Sequence, residues 1–267
     1  MSARLRHWVN RARFATARLP APFYVVSHER SGTHFLINTL EKNALLRPGY
    51  YTAGEWTGPY VSGQSSEFAH IDRLRADWKE ITGRVSIIKT HSDRDLFDFR
   101  YPKARAVYVL RDPRDTLVSF YYYLIGQSDG GTHLSGAHRY STVSDFLRRP
   151  LSPSLRWANT RYGRGGNVAE RWANHVKGWL GADDTIVVRY EELKTDFRDV
   201  LRRLSPLLSL ELLSSMSPVG LHESFSILPR KGVIGDWRGH FTADDEALVR
   251  EAVERAGVDW EAVTWRE

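Results

Sequence analysis

Four short stretches of the chain bring cations, hydroxyls and histidines together at spacings that suit anion chemistry. The first runs from Tyr24 to Leu36, YVVSHERSGTHFL, where an apolar run breaks into a turn and resumes at helical spacing. Gly32 lets the backbone approach a ligand closely, the first N–H groups of the following helix lack intrahelical partners, and the helix dipole favours negative charge. Arg30, Ser31, Thr33 and His34 add side-chain donors. The turn suits a phosphate-type anion, although an ordinary strand-to-helix turn has the same outline. It is not a Walker A loop, because the GxxxxGK-Ser/Thr pattern is absent and no lysine closes the turn.

The second stretch, Lys89-Thr90-His91, ends an apolar run. A solitary histidine is more often a surface or hydrogen-bonded residue. With the other strand ends, this stretch gathers cations, hydroxyls and a histidine on one edge. The third, YVLRDPRDTLVSFYYYL, has the grammar of a helix start, with Asp112 as N-cap and Pro113 at the first helical position. Arg111 then stands at the sheet edge, and Ser119 lies about two turns into the helix. The alternative is that Arg111, Asp112, Arg114 and Asp115 pair with one another at the surface, where ion pairs contribute little. The fourth, Arg230-Lys231-Gly232 within LPRKGVIGDWRGHFT, joins fixed positive charge to a flexible backbone. That suits a doubly charged phosphate, or a solvated basic turn.

The elements that position these residues are short β-branched or aromatic runs: FYVVS at 23–27, VSIIK at 85–89, ARAVYVL at 104–110 and TIVVRY at 185–190. Helical patterns cover 32–42, about 113–125, 168–180, 191–203 and 243–256. The alternation predicts one α/β domain, with a mostly parallel central sheet flanked by helices on both faces. Ligands of such sheets sit beyond the carboxyl ends of the strands, where the first three stretches and Tyr190 fall. The Gly-rich runs 128–141 and 159–167 read as loops long enough to act as lids. Tyr50, Tyr51, Trp56, Tyr60 and Phe68 either line a pocket for a planar or sugar-containing molecule or scatter through core and surface.

Composition narrows the class. A chain of 267 residues, 42% of them hydrophobic, can bury one substantial core and requires no second domain. It has no cysteine, which excludes disulfides and thiolate metal sites. No apolar run approaches the roughly 18–20 residues of a membrane span, and the N-terminus lacks the apolar core of a secretory signal, so a soluble, cytoplasmic protein is expected. The net charge is +6, but Arg4, Arg6, Arg11, Arg13 and Arg18 lie in residues 1–22, which hold no acid. The remainder is close to neutral, which argues against a nucleic-acid stripe. Residues 1–22 read as an Arg-rich extension or helix ahead of a domain at 23–267. It either packs on or trails from the domain or, with Leu5, Trp8, Val9 and Phe14 as its apolar side, lies on a membrane surface.

In this order and at these distances, the stretches resemble the signatures of the cytosolic-type sulfotransferase family, which uses 3′-phosphoadenosine 5′-phosphosulfate (PAPS) and releases the bisphosphate PAP. HERSGTHF is similar to the family's 5′-phosphosulfate loop, YPKSGTTW, and YVLRDPRDTLVSFYYYL to its 3′-phosphate motif, YxxRNPKDxxVSxYxF. RKGVIGDWRGHFT resembles the closing RKGxxGDWKxxFT, and IIKTHS the stretch that carries the catalytic histidine. The resemblance covers residues 23–242 and implies a P-loop-like fold without a metal. It implies Arg30 beside the phosphosulfate, with Ser31, Gly32, Thr33 and His34 as the 5′ cradle. Phe35, Tyr190 and Phe225 would contact adenine. Arg111 and Ser119 would hold the 3′-phosphate, assisted by Arg230, Lys231 and Gly232. Lys89 would contact the sulfuryl group and His91 would be the general base, for in-line attack by a hydroxyl or amine of a small-molecule acceptor.

Several positions depart from the pattern. Glu29 stands where the family often has proline, beside an anion site, and is expected to point outward toward an arginine. Only residues 226–229 separate Phe225 from Arg230, where animal phenol and steroid enzymes insert a long loop. The dimerisation pattern KxxxTVxxxE is reduced to Arg238, Thr242, Ala243 and Ala247, so that dimer is not expected. ERWANHVKGWL at 170–180 resembles the family's helix bearing a histidine and a tryptophan near the acceptor, and packing explains its spacing equally well. Two other readings compete. A P-loop kinase would need ATP and Mg²⁺ and lacks the Walker lysine. A catalytically inactive module for a sulfated or phosphorylated polymer is motivated by residues 1–22 and the basic edge.

Overall fold

A computed structural model describes residues 19–47, 50–52, 85–101, 104–128, 140–150, 166–220 and 231–266. Among the described residues, five strands, β1 (Phe23–Ser27), β2 (Tyr50–Thr52), β3 (Ile87–Thr90), β4 (Ala106–Leu110) and β5 (Thr185–Arg189), form one sheet in the order β2-β3-β1-β4-β5. Every neighbouring pair is parallel. β1, β3 and β4 are buried along their whole length, which is why they read as continuous apolar runs. The four expected strands are present within a few residues. The edge strand β2 was not expected, since three residues are too few to show a period.

Alternate residues of β1, β3, β4 and β5 feed two cores. Phe23, Val25, Ile87, Val107, Val109 and Val188 pack against α1 (Thr33–Asn43), α6 (Tyr190–Thr195) and α7 (Phe197–Leu208). Tyr24, Val26, Ile88, Tyr108 and Leu110 pack on the opposite face, against α2 (Arg94–Arg100), α3 (Pro113–Ser128), α4 (Val143–Arg148), α5 (Val168–Leu180), α8 (Ala243–Arg255) and α9 (Trp260–Val263). The stretch 191–203, expected as one helix, is two. Asp196 breaks it with non-helical backbone and caps α7, its carboxylate accepting from Asp199 N at 3.1 Å. α5 opens on a capping box of Asn167 and Glu170 and buries Trp172 and Trp179 completely, anchors whose truncation costs about 3–5 kcal/mol each.

The helix after β1 covers one face and the helix after β3 covers the other. Their neighbouring carboxyl ends therefore open a crevice at a topological switch point, the ordinary ligand position in such sheets. No helix among the described residues is long and apolar enough to cross a membrane. Residues 1–18, Trp56, Tyr60, Phe68, Phe225 and Arg230, with most of the two Gly-rich loops, lie outside the described residues.

Candidate active site

The turn from β1 into α1 is bent by two residues with positive φ, Arg30 at 69° and Gly32 at 98°. A Cβ on residue 32 would lie 2.4 Å from Cδ2 of Tyr190, so the tyrosine at the start of α6 can close on the turn only because glycine is there. The Ser27 and Thr33 hydroxyls bond across the base of the turn, and Ser31 is buried beneath it. The Arg30 guanidinium lies over the Tyr123 ring at 4.8 Å, and its Nε donates to Ser119 Oγ at 3.4 Å. The residues expected at the two phosphate ends of one ligand thus meet each other.

Arg111, at the end of β4, is 5% exposed. Its Nη1 and Nη2 donate to the carbonyls of Arg30 and Val233, each at 3.2 Å, and its guanidinium covers the Tyr190 ring at 4.5 Å. Its Nε is buried and meets no acceptor among the described residues. Such an orphaned donor is costly unless an anion completes it, so the site fits a bound phosphate. Asp112 caps α3, its Oδ1 accepting from Arg114 N at 2.9 Å, as expected. The surface-cluster reading is overturned for its neighbours. The Arg114–Asp112 pair is buried, with Arg114 braced over Trp237 at 3.9 Å, while Asp115 accepts from the backbone N–H groups of Gly235 and Trp237 at 2.7 and 3.0 Å.

That second contact fastens the closing segment. The Tyr190 hydroxyl also donates to the Gly232 carbonyl at 3.1 Å. Lys231 is exposed and paired with Asp236 at 3.1 Å. Phe35 and Tyr190 meet edge to face at 5.6 Å, with Lys194 Nζ over the Phe35 ring at 5.3 Å, an aromatic corner of the kind an adenine can occupy.

At the other end of the site, register places Lys89 beside Val25, on the α1 face of the sheet. His34 of α1 feels it there: burial, then the charges of Lys89 and Arg30, push its imidazole down to about 4. His91 Nδ1 lies 2.7 Å from the Ser27 carbonyl oxygen, which can only accept, so Nδ1 carries the hydrogen and Nε2 the lone pair. Burial, then Lys89, push the His91 pKa down to about 3, while the Glu29 carboxylate and the Ser27 carbonyl act upward. His91 is therefore a neutral proton acceptor at pH 7. Negative charge bound at Lys89 would relieve part of the depression and bring the base nearer the operating pH.

Glu29 does not point outward. It is 6% exposed, and its Oε1 and Oε2 accept from Arg171 Nη2 and Nη1, both at 2.8 Å, inside the molecule. Burial acts to raise the carboxyl, but the Arg171 charge and hydrogen bonds outweigh it and hold Glu29 well below the usual carboxylate range. A carboxylate is tolerated beside an anion site because its charge is neutralised from behind. The expected arginine exists, on α5. Around the pair, His28 Nδ1 donates to the Glu29 carbonyl at 3.0 Å and its Nε2 accepts from Arg171. His175 Nδ1 lies 2.9 Å from the Tyr108 hydroxyl, and its Nε2 lies 3.2 Å from the His91 carbonyl. Sequence reasoning gave His28, Tyr108 and Arg171 no role and Asp115 only a surface pairing, because each acts through a partner distant in the chain.

Residues 20–218 match the family model described as "Sulfotransferase domain". The 3-alpha-hydroxysteroid sulfotransferase of Cavia porcellus is 26% identical over 232 residues, 72% of this chain and 74% of that protein. Sulfotransferase 2B1 of Mus musculus is 30% identical over 263 residues, 84% of this chain and 68% of the relative. Among solved structures, mouse sulfotransferase SULT7A1 complexed with PAP aligns with a TM-score of 0.54 at 19% identity, covering 91% of this chain and 86% of that one. Retinol dehydratase in complex with androsterone and inactive cofactor PAP gives 0.51 at 16% identity, covering 95% and 84%. At such identities the structures speak for the fold: a single α/β domain around a parallel sheet.

Proposed function

The chain belongs to the sulfotransferase family and is a PAPS-dependent transferase, and we propose that it sulfates a hydroxyl of a small-molecule acceptor by in-line displacement with His91 as general base. PAPS supplies a sulfuryl group joined to a good leaving group, the 5′-phosphate. Arg30, Ser31, Gly32, Thr33 and His34 hold its 5′ end, and Arg111 with Ser119 holds the 3′-phosphate beside the segment that begins Arg230-Lys231-Gly232. Phe35 and Tyr190, with Phe225, flank adenine. His91 Nε2 takes the acceptor's proton as the acceptor oxygen bonds to sulfur and the sulfur–phosphate oxygen bond breaks, its electron pair staying with the phosphate. Lys89 and Arg30 stabilise the charge on the sulfuryl and departing phosphate oxygens.

The observation that carries this reading is the hydrogen bond from His91 Nδ1 to the Ser27 carbonyl, which makes Nε2 the basic nitrogen of a neutral ring next to Lys89. The named hydroxysteroid activities of relatives support an alcohol rather than an amine as acceptor. Residues 23–267 form the catalytic unit on this reading, with 1–22 as an extension. PAP at about 100 times its Kd should raise fold stability by about 2.7 kcal/mol in a thermal-shift assay. His91→Ala should keep that shift while transfer from labelled PAPS falls about 10²–10⁴-fold. Undiminished transfer would remove His91 from its role, and a shift with Mg-ATP but not PAP would remove the donor.

A further inference from the structure

α5 carries three polar side chains a turn apart on its buried face, Arg171, His175 and Trp179, exposed by 3%, 1% and 0%. Each ends on the catalytic end of the sheet. Arg171 clamps Glu29, the residue before Arg30, through two bonds of 2.8 Å. His175 Nε2 stands 3.2 Å from the His91 carbonyl, and Trp179 Nε1 donates to the next carbonyl, Ser92, at 3.1 Å. The i, i+4, i+8 spacing puts all three on one stripe of the helix.

The bonds have a fixed direction. The His91 carbonyl can only accept, so His175 carries its hydrogen on Nε2, and Nδ1 accepts from the Tyr108 hydroxyl. The Tyr108 ring lies flat against Trp179, centroids 5.5 Å apart at 13°. Tyr108 therefore fixes the tautomer of His175, and His175 fixes the peptide that carries the base. Titratable groups surround this layer: Glu29 and His28 after β1, His91 and Asp93 after β3, Tyr108 on β4 and Arg171 on α5, while Lys89 acts on His91 from the opposite face of the sheet. At position 29 a proline would set φ by its ring. A glutamate does not, and the next residue, Arg30, is held at a φ of 69°.

We propose that the Arg171–His175–Trp179 stripe is the positioning device of the reaction: through Glu29 it sets the turn that carries Arg30, and through the His91 carbonyl it sets the base. One rigid helix then fixes the separation of donor loop and proton acceptor, where a misplacement of about 1 Å costs on the order of 10²-fold in rate. Arg171, Glu29, His175 and Tyr108 are positioning residues. The inference rests on the reading of His91 as general base.

The test compares the full chain bound to PAP with its His175→Leu, His175→Gln, Tyr108→Phe and Glu29→Gln variants, by ¹⁵N NMR of the His91 ring, PAP affinity, and the rate of PAP formation from PAPS with a mixture of 3-hydroxysteroids. The wild type should show a single Nδ1–H tautomer at His91. In His175→Leu the ring should populate both tautomers and the rate should fall about tenfold or more, with PAP affinity within about threefold; in Glu29→Gln, which loosens the turn carrying Arg30, rate and PAP affinity should fall together while the His91 ring keeps its tautomer. His175→Gln keeps an amide donor toward the His91 carbonyl and should recover most of the loss. An unchanged His91 spectrum in His175→Leu, a rate loss in that variant matched by equal loss of PAP affinity, or native rate and PAP affinity in Glu29→Gln overturns the proposal. If His175→Leu does not fold, Tyr108→Phe poses the same question, and the first two of these outcomes decide it. Full transfer in His91→Ala would reject the general base itself, and the NMR comparison would still decide whether α5 orients that ring.

Discussion

Arg111 offers the sharpest test at the scale of single residues, because its two Nη groups are committed to carbonyls and its Nε is not. If that nitrogen serves a 3′-phosphate, Arg111→Lys should remove a charge-assisted bond worth about 1.5–3 kcal/mol. The loss should appear as a collapsed preference for PAP over AMP in calorimetric titrations, since AMP lacks the 3′-phosphate. An equal weakening for both nucleotides would place the arginine elsewhere. Gly32 allows a second test. Alanine there would carry a Cβ into the Tyr190 ring at 2.4 Å from a backbone φ of 98°, so two independent penalties coincide. The left-handed conformation costs roughly 1–2 kcal/mol, and displacement of Tyr190 should open the aromatic corner as well. Gly32→Ala should lower the Tm and weaken PAP together, and a variant with native PAP affinity would contradict the close approach.

From Lys231 on, the closing segment is held through its backbone groups by residues of other elements. Asp115 of α3 accepts two of its backbone N–H groups, Arg111 takes the Val233 carbonyl, and Tyr190 takes the Gly232 carbonyl, while Lys231 faces solvent. Asp115→Asn leaves one acceptor oxygen and turns an amide N–H₂ toward a backbone donor. It should therefore weaken PAP about tenfold and expose the bond after Arg238 to trypsin, at little change in α3 helicity. Unaltered proteolysis would show that the segment holds itself. At this scale the sequence was legible where an element declares itself locally. Apolar runs announced β1, β3, β4 and β5, and Asp112-Pro113 announced the start of α3. β2 was too short to show a period, and Asp196 split an apparent helix by capping its second half. The spacing of Arg171, His175 and Trp179 was visible too, yet it reads as packing until the partners at Glu29, His91 and Ser92 are known. Those partners come from tertiary contacts that no periodicity encodes. Glu29 is the instructive case: a carboxylate at an anion turn demanded a cation, which sequence could anticipate, but only the fold says that Arg171 meets it from inside.

For the whole molecule, the same buried layer sets a response to acid. His28, His91 and His175 are pushed down to about 3 and His34 to about 4, in each case by burial first and neighbouring positive charge or histidine second. An unfolded chain titrates its histidines near pH 6.5, so between about pH 6.5 and 4 the unfolded state binds more protons than the native one, and stability falls as pH falls. Each fully buried histidine contributes a slope of up to about 1.4 kcal/mol per pH unit in that window. His28 and His175 should approach that limit, whereas His34 and His91, partly open to solvent, contribute less. Asp115 and Glu191 work in the opposite direction, because burial raises their carboxyls and the native state holds those protons more tightly. Glu29 and Asp245, held low, act with the histidines once the carboxylate range is entered, and the balance is a net loss. Urea midpoints of the PAP-free protein should therefore drop steadily from pH 7 to pH 5 with an unchanged m-value, and His175→Gln should flatten that slope by removing one titrating ring. Bound PAP should flatten it further, since a phosphate beside His34 makes the protonated imidazole acceptable in the native state. A midpoint that stays level over those two pH units would mean that the layer behind His91 is already protonated at neutrality, and such a layer could not hold the base in one tautomer.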